Sequence, residues 1–215
     1  ISTFRDAGGL WDKYPVMQVA SAEGYVRDPE LVINFYNERR KQLLDVEPNA
    51  GHIGLAELEK DFNVTVVTQN VDNLHERAGS TRIIHLHGEL TKVCSSRDPY
   101  NPHYIKELKP EEYEVKLGDK AGDGTQLRPF IVWFGEAVPE IETAIQYVEK
   151  ADIFVIIGTS LNVYPAAGLL HYVPREAAVY LIDPKPVDTH TSRPVHVIQK
   201  GASEGVAELK QLLGV

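Results

Sequence analysis

Apolar residues in this chain gather into short, nearly continuous runs, separated by stretches with helical spacing. Val64–Thr68 is β-branched at every position and reads as a buried strand. Ile83–His87, Phe130–Phe134, Ile153–Ile157, Ala178–Ile182 and the stretch near Val195–Ile198 are further strands by length and character. Helix signals lie between them. Asp28, Pro29 and Glu30 supply an N-cap, a first-turn proline and an acid beside the positive end of the dipole. That helix should run to about Leu44, with Leu31, Phe35 and Leu43 among its apolar positions. Asn49 is placed to cap a second helix carrying Ile53, Leu55, Leu58 and Phe62. Asn70–Ala78 reads as a short helix closed by Gly79, and others are expected near Glu140–Lys150, Tyr164–Tyr172 and Ser203–Leu213.

Short apolar strands alternating with helices imply an α/β fold, a doubly wound, mostly parallel, Rossmann-like sheet covered on both faces. Residues 94–128 break the rhythm. Cys94-Ser-Ser-Arg-Asp-Pro-Tyr-Asn-Pro is turn-rich, and Gly118-Asp-Lys-Ala-Gly-Asp-Gly124 is a loop signature. Residues 1–93 and 129–215 are therefore expected to form the sheet domain, with 94–128 as a small inserted lobe.

Charge narrows the function classes. The chain has 215 residues, with Lys plus Arg at 22 and Asp plus Glu at 31, a net charge of −9. An acidic surface argues against nucleic acid or an anionic membrane as the main partner. No apolar run approaches the roughly 18 residues that a spanning helix needs. The single cysteine, Cys94, allows no internal disulfide and cannot by itself make a thiolate zinc site. These features fit a cytoplasmic protein.

In open parallel sheets, ligands bind outside the carboxyl ends of the strands. Two strand ends here are unusually polar: Gln69-Asn70-Val71-Asp72-Asn73-Leu74-His75 and Gly158-Thr159-Ser160. Small hydroxyl residues after a glycine let the backbone approach a ribose or phosphate, although the same three residues also make an ordinary turn and N-cap. His85 and His87 are two apart on an expected strand, so both imidazoles would face one way. A general base is one reading; metal ligation and a hydrogen-bonded structural role are the others. Tyr36 and Arg39 share a helix face. A phenol beside a guanidinium fork suits a carboxylate, although for an arbitrary sequence an amphipathic helix with an exposed basic edge is the favoured reading.

Read together, these elements resemble the sirtuins, NAD-dependent protein lysine deacylases, over essentially the whole chain. The resemblance is carried by Ile1-Ser-Thr-Phe-Arg5, Thr68-Gln-Asn-Val-Asp72 with Leu74-His75 and Ala78-Gly79, and His87-Gly88. It continues through Arg128-Pro129, Val132-Trp-Phe-Gly-Glu136, Gly158-Thr-Ser160 and Val163-Tyr-Pro-Ala-Ala167. Phe4-Arg5, Ala7-Gly8-Gly9-Leu10-Trp11 and the Tyr36/Arg39 pair are similar to the bacterial desuccinylase-type branch. Two departures matter. In the family a strand and Gly-Ala-Gly loop stand just before the segment matching Ile1–Arg5, so the first strand and pyrophosphate cradle are expected upstream of this numbering. Most members also carry four zinc-binding cysteines in the small lobe. Here only Cys94 is near such a place, with Ala121, Gly122 and Gly124 where a later pair would stand. The lobe is expected to be zinc-free and held by packing of Tyr100, Tyr104, Leu108, Tyr113 and Leu117.

The resemblance implies roles. NAD is the cofactor and acyl-lysine proteins or peptides are the partners; the products are free lysine, nicotinamide and 2′-O-acyl-ADP-ribose. His87 would be the base, Asn70 would orient ribose and water, and Asp72 would hold the nicotinamide carboxamide. Ser2, Thr3, Phe4 and Arg5 would belong to the cofactor loop, Gln69 would contact ribose, and Val71 would be a further cofactor contact. Gly158, Thr159, Ser160, Ile182, Asp183 and Ala202 would meet the adenosine end. Substrate backbone would dock as an added strand between Val132–Glu136 and Leu161–Tyr164, with Val132, Phe134, Gly135, Glu136 and Val163 as contacts. Tyr36 and Arg39 would bind a succinyl or malonyl carboxylate. The rivals are an ADP-ribosyltransferase or NAD glycohydrolase on the same scaffold, and a non-catalytic NAD or ADP-ribose binding module. A nicotinamide-cofactor dehydrogenase ranks last, since no Gly-x-Gly-x-x-Gly follows a strand.

Overall fold

The computed structural model describes residues 13–215. In chain order the helices are α1 (Val16–Val19), α2 (Ala22–Arg27), α3 (Pro29–Leu44), α4 (Ala50–Glu57), α5 (Leu74–Ala78), α6 (Ile141–Val148) and α7 (Ala202–Leu213). The strands are β1 (Val66–Thr68), β2 (Ile83–His85), β3 (Gly88–Ser95), β4 (Lys106–Glu107), β5 (Leu127–Ile131), β6 (Ile153–Ile157), β7 (Ala178–Ile182) and β8 (His196–Ile198). Two compact units result. The first takes in residues through Val46, Asn70–Asn73 and His87–Val138; the second takes in Glu47–Gln69, Leu74–Leu86 and Pro139–Val215. Residues 94–128 thus fall in the first unit together with α1, α2 and α3.

The second unit carries the parallel strands. β1 pairs with β2, and β6, β7 and β8 pair in that order, all parallel. The 3-10 helix Ala166–Tyr172 connects β6 to β7, where the spacing suggested an α-helix. Leu58, Ile182, Ile198, Val206 and Leu209 form an apolar cluster in this unit. Gly205 is required there: a Cβ would stand 2.2 Å from Cγ2 of Ile182.

The first unit is built differently. β3 lies between β4 and β5, both antiparallel to it. The start of α3 is as expected, since the Asp28 carboxylate accepts the Leu31 N–H at 3.0 Å. Arg40 then ties the helix to the sheet. It is 3% exposed, and its guanidinium donates to the carbonyls of Leu90 (2.8 Å) and Tyr113 (2.7 Å) and to Oδ1 of Asn37 (2.7 Å). Burial pulls its pKa down to about 10, so it stays charged at neutral pH.

The ends of the 94–128 segment are joined by hydrogen bonds. Ser95 Oγ, fully buried, donates to Asp123 at 2.6 Å and accepts the backbone N–H groups of Arg97 and Asp98. Thr125 Oγ1 donates to the same carboxylate at 2.7 Å. Leu108 packs beside Ile33, Val93 and Val115, and the Tyr104 ring closes on Gly122. Leu117, expected in that packing, is 50% exposed. Among the described residues no group of three or more His, Cys, Asp or Glu could hold a metal ion. Nor is any described helix long and apolar enough to cross a membrane.

Three segments depart from the periodicity. Asn70–Asn73 is not helical, because the Val71 carbonyl accepts the Leu90 N–H at 2.7 Å instead of a helical partner. The strand expected to reach His87 stops at His85, so the premise that His85 and His87 share a strand face fails. Glu76, 2.6 Å from His85 Nε2, gives that ring a structural partner. The strand expected over Phe130–Phe134 ends at Ile131, where residues 133–136 form a turn instead.

Candidate active site

Within the first unit, three sequence motifs are drawn together by backbone hydrogen bonds. The His87 carbonyl accepts the Val132 N–H at 2.9 Å, and the Val71 carbonyl accepts the Leu90 N–H two residues into β3. Gly88 makes this approach possible: its φ is +87°, and a Cβ would lie 2.1 Å from the Phe130 carbonyl oxygen. The Asn70–Asp72 loop, His87 and Val132 are therefore fastened to one end of the antiparallel sheet. Asn70 is exposed, while Asp72 and His87 are half-buried.

Trp133–Glu136 forms a tight turn closed by Glu136 N–H to the Trp133 carbonyl at 3.0 Å, with Gly135 at φ +87°. Phe134 N–H donates to the Ala20 carbonyl at 2.9 Å, and the Phe134 ring is 48% exposed. Beneath the turn lies a buried ion pair. Arg128 donates to both carboxylate oxygens of Glu136, at 3.0 and 3.2 Å, and to the Ile131 carbonyl at 2.8 Å. Glu136, expected at the substrate, thus turns its carboxylate inward, because a buried guanidinium requires a counter-charge.

Tyr36 and Arg39 lie on α3. Tyr36 is 3% exposed and its oxygen accepts the Trp133 Nε1–H at 3.2 Å. Burial, moderated by the Trp133 hydrogen bond and by Arg128, pushes the phenol well above its ordinary range, so it remains a neutral O–H donor. Arg39 stacks its guanidinium 5.2 Å from the Phe35 ring centre. Its Nε and Nη1 are buried with no hydrogen-bond partner among the described residues. Two buried guanidinium donors without an acceptor are costly unless an anion meets them. Cys94 plays no part in such chemistry: burial pushes its thiol up to about 12.

The second unit gathers other expected residues at the carboxyl ends of parallel strands. Gly158–Ser160 follows β6, Asp183 follows β7, and Gly201 and Ala202 come after β8. The register aligns Ile157 with Ile182 and Ile182 with Ile198, so these ends are neighbours. Gly158 has φ +61° and open space where a Cβ would be. Gln69 Nε2 donates to Thr159 Oγ1 at 3.3 Å, and Thr159 Oγ1 also accepts the Leu161 N–H. The Asp183 carboxylate accepts the Lys185 N–H at 2.8 Å. Val163 is half-buried, and its carbonyl accepts the Ala167 N–H. The Ile182 side chain is fully buried in the apolar cluster and its carbonyl accepts the Gly158 N–H. Ser2, Thr3, Phe4 and Arg5 lie outside the described residues.

Sequence reasoning missed Trp133 and Arg128 as supporting residues. The only signal was their place in Arg128-Pro129 and Val132–Glu136, since an arginine ordinarily reads as surface.

A profile of the Sir2 family matches residues 1–165. An NAD-dependent protein deacylase of Bacteroides thetaiotaomicron is 88% identical over 213 residues, covering 99% of this chain and 91% of its own. One from Helicobacter pylori strain 26695 is 51% identical over 209 residues, covering 97% of this chain and 89% of its own. Among solved structures, a Sir2 homologue in complex with NAD superimposes with TM-score 0.83 at 34% identity, over 100% of this chain and 85% of that one. A Sir2 complex with a p53 peptide and NAD+ gives TM-score 0.73 at 28% identity, over 89% and 81%.

Proposed function

The chain belongs to the Sir2 family, and from that premise we propose that it is an NAD-dependent protein lysine deacylase that favours acidic acyl groups. Its relatives carry the first half of that reading in their names. The observation that carries the second half is Arg39, which shares a helix with the neutral phenol of Tyr36 and whose two buried donors have no partner among the described residues. A succinyl or malonyl carboxylate matches one O–H and a planar fork; an acetyl group leaves both unused.

NAD suits the residues available. Gly158 leaves space for close backbone approach, and hydroxyls and amides cluster at the strand ends where dinucleotides are held in such sheets. When bound, NAD supplies an anomeric carbon with nicotinamide as leaving group and a ribose hydroxyl that takes up the acyl group. His87 would take the proton from that hydroxyl at its imidazole. Asn70 would orient the ribose, and Asp72 would hold the nicotinamide carboxamide. Gln69, Val71, Gly158, Thr159, Ser160, Asp183 and Ala202 would bind the rest of the dinucleotide. Val132, Phe134, Gly135 and Val163 would meet the acyl-lysine and its peptide backbone. The small lobe is proposed to fold without zinc, held by Ser95, Asp123 and Thr125. A single buried free thiol suits a cytoplasmic setting.

Matched succinyl- and acetyl-lysine peptides assayed with NAD by mass spectrometry test this. Arg39→Met should lower kcat/KM for the succinyl peptide by about 100-fold, the loss expected when a charged hydrogen-bonded partner is removed, and leave the acetyl peptide within about threefold. Equal losses on both peptides would remove the assignment.

A further inference from the structure

Tyr36 is held by a chain of contacts that begins at the buried ion pair. Glu136 accepts both Arg128 donors and also the Trp133 backbone N–H at 2.8 Å. The Arg128 guanidinium lies 3.7 Å from the Trp133 ring centre, a close cation–π stack, and the Tyr25 ring is 5.2 Å away. The indole is 1% exposed, and its position is fixed from its backbone and by the rings and charge around it. Its only hydrogen-bond donor, Nε1–H, is directed at the Tyr36 oxygen.

We propose that Trp133 is the positioning residue for acyl selection, acting through the Tyr36 hydroxyl; this rests on the deacylase reading above. A phenol has one hydrogen and two lone pairs. The indole N–H occupies a lone pair and fixes the oxygen, so the single phenolic hydrogen is left for another acceptor. Donation into the oxygen also polarises the O–H and strengthens what it gives. A substrate carboxylate is such an acceptor. An acetyl group ends in a methyl and carries no carboxylate beyond its amide, so Trp133 contributes to one class of substrate and not to the other. Arg128 and Glu136 matter because they hold the indole in register, which gives this buried pair a role in specificity.

The test compares kcat and KM for succinyl and acetyl peptides in the wild type, Trp133→Phe, Tyr36→Phe and the double variant. The wild type must first consume succinyl-lysine with NAD; if it does not, the acidic-acyl preference fails and this proposal falls with it. Given that activity, Trp133→Phe is expected to lower the succinyl-to-acetyl ratio of kcat/KM by about tenfold, mainly through KM for the succinyl peptide. The double variant should be no worse in that ratio than Tyr36→Phe alone, since both changes remove one interaction. Because phenylalanine also leaves a cavity, a second variant carries 3-benzothienylalanine at position 133, which keeps the shape and lacks the N–H. It should reproduce the ratio change at unaltered Tm. Equal losses on both peptides, additive effects, or an unchanged ratio in the benzothienyl variant would overturn the proposal while leaving the deacylase reading intact.

Discussion

In the second unit, Leu58, Ile182, Ile198, Val206 and Leu209 pack together, with the α7 glycine Gly205 against Ile182. In the first unit, polar groups do comparable work. Arg40 caps three acceptors, Asn37 both donates to and accepts from the Val115 backbone, Ser95 grips Asp123, and Arg128 grips Glu136. The difference follows from the kind of backbone each must hold. Parallel strands satisfy their own ladders and need only apolar cover. Irregular chain, such as Asn70–Asn73 and Trp133–Glu136, leaves carbonyls and amides that side chains must meet if they are buried. The proposed acyl-selecting residues, Tyr36 and Arg39, belong to the polar unit, where donors can be aimed.

The sharpest way to break that contrast is Arg128→Met. It strands the Glu136 carboxylate, which is 17% exposed, and a loss of about 3–5 kcal/mol is expected by chemical denaturation. A loss below about 1 kcal/mol would mean that the pair is not holding the turn. The second unit should respond to volume instead. Gly205→Ala would ordinarily gain about 1 kcal/mol in a helix, but here the added methyl meets Ile182, and net destabilisation is expected from an overpacking cost of about 1–3 kcal/mol. A rise in Tm would show that the cluster gives way freely.

The smallest effect is confined to acid. Hydrogen bonds from Ser95 and Thr125 hold the Asp123 carboxyl down at about 2, below the ordinary carboxylate value near 3.9. A depressed folded pKa gives stability that is present above the unfolded value and lost as pH falls toward 2. Protection of the Arg97 and Asp98 amides from hydrogen exchange, taken relative to the intrinsic rate at each pH, should therefore fall between about pH 4 and 2 in the wild type. In Asp123→Asn the protection should be lower at neutral pH and should lose that pH step. An identical pH profile in both proteins would exclude the clip.

The same contrast explains what the amino-acid order revealed. β6 and β7 were legible to the residue, and Asp28 and Asn49 cap the helices they were expected to cap, because these features depend on neighbours in sequence. β3 went unread, since Gly88–Ser95 mixes charged and buried polar residues and owes its extension to β5, some forty residues away. The helix expected at Asn70–Asn73 was lost to Leu90, again a distant partner. Among site residues, His87, Asn70 and Arg39 were visible as motifs. The inward turn of Glu136 was not, because nothing in the local order shows that Arg128 is buried.

A product balance with the wild-type protein, a succinyl-lysyl peptide and NAD, followed by mass spectrometry, decides whether the acyl group leaves lysine for ADP-ribose. Free lysine peptide, nicotinamide and 2′-O-succinyl-ADP-ribose are expected in equal amounts. Nicotinamide and ADP-ribose appearing while the succinyl-lysine remains intact would contradict that transfer.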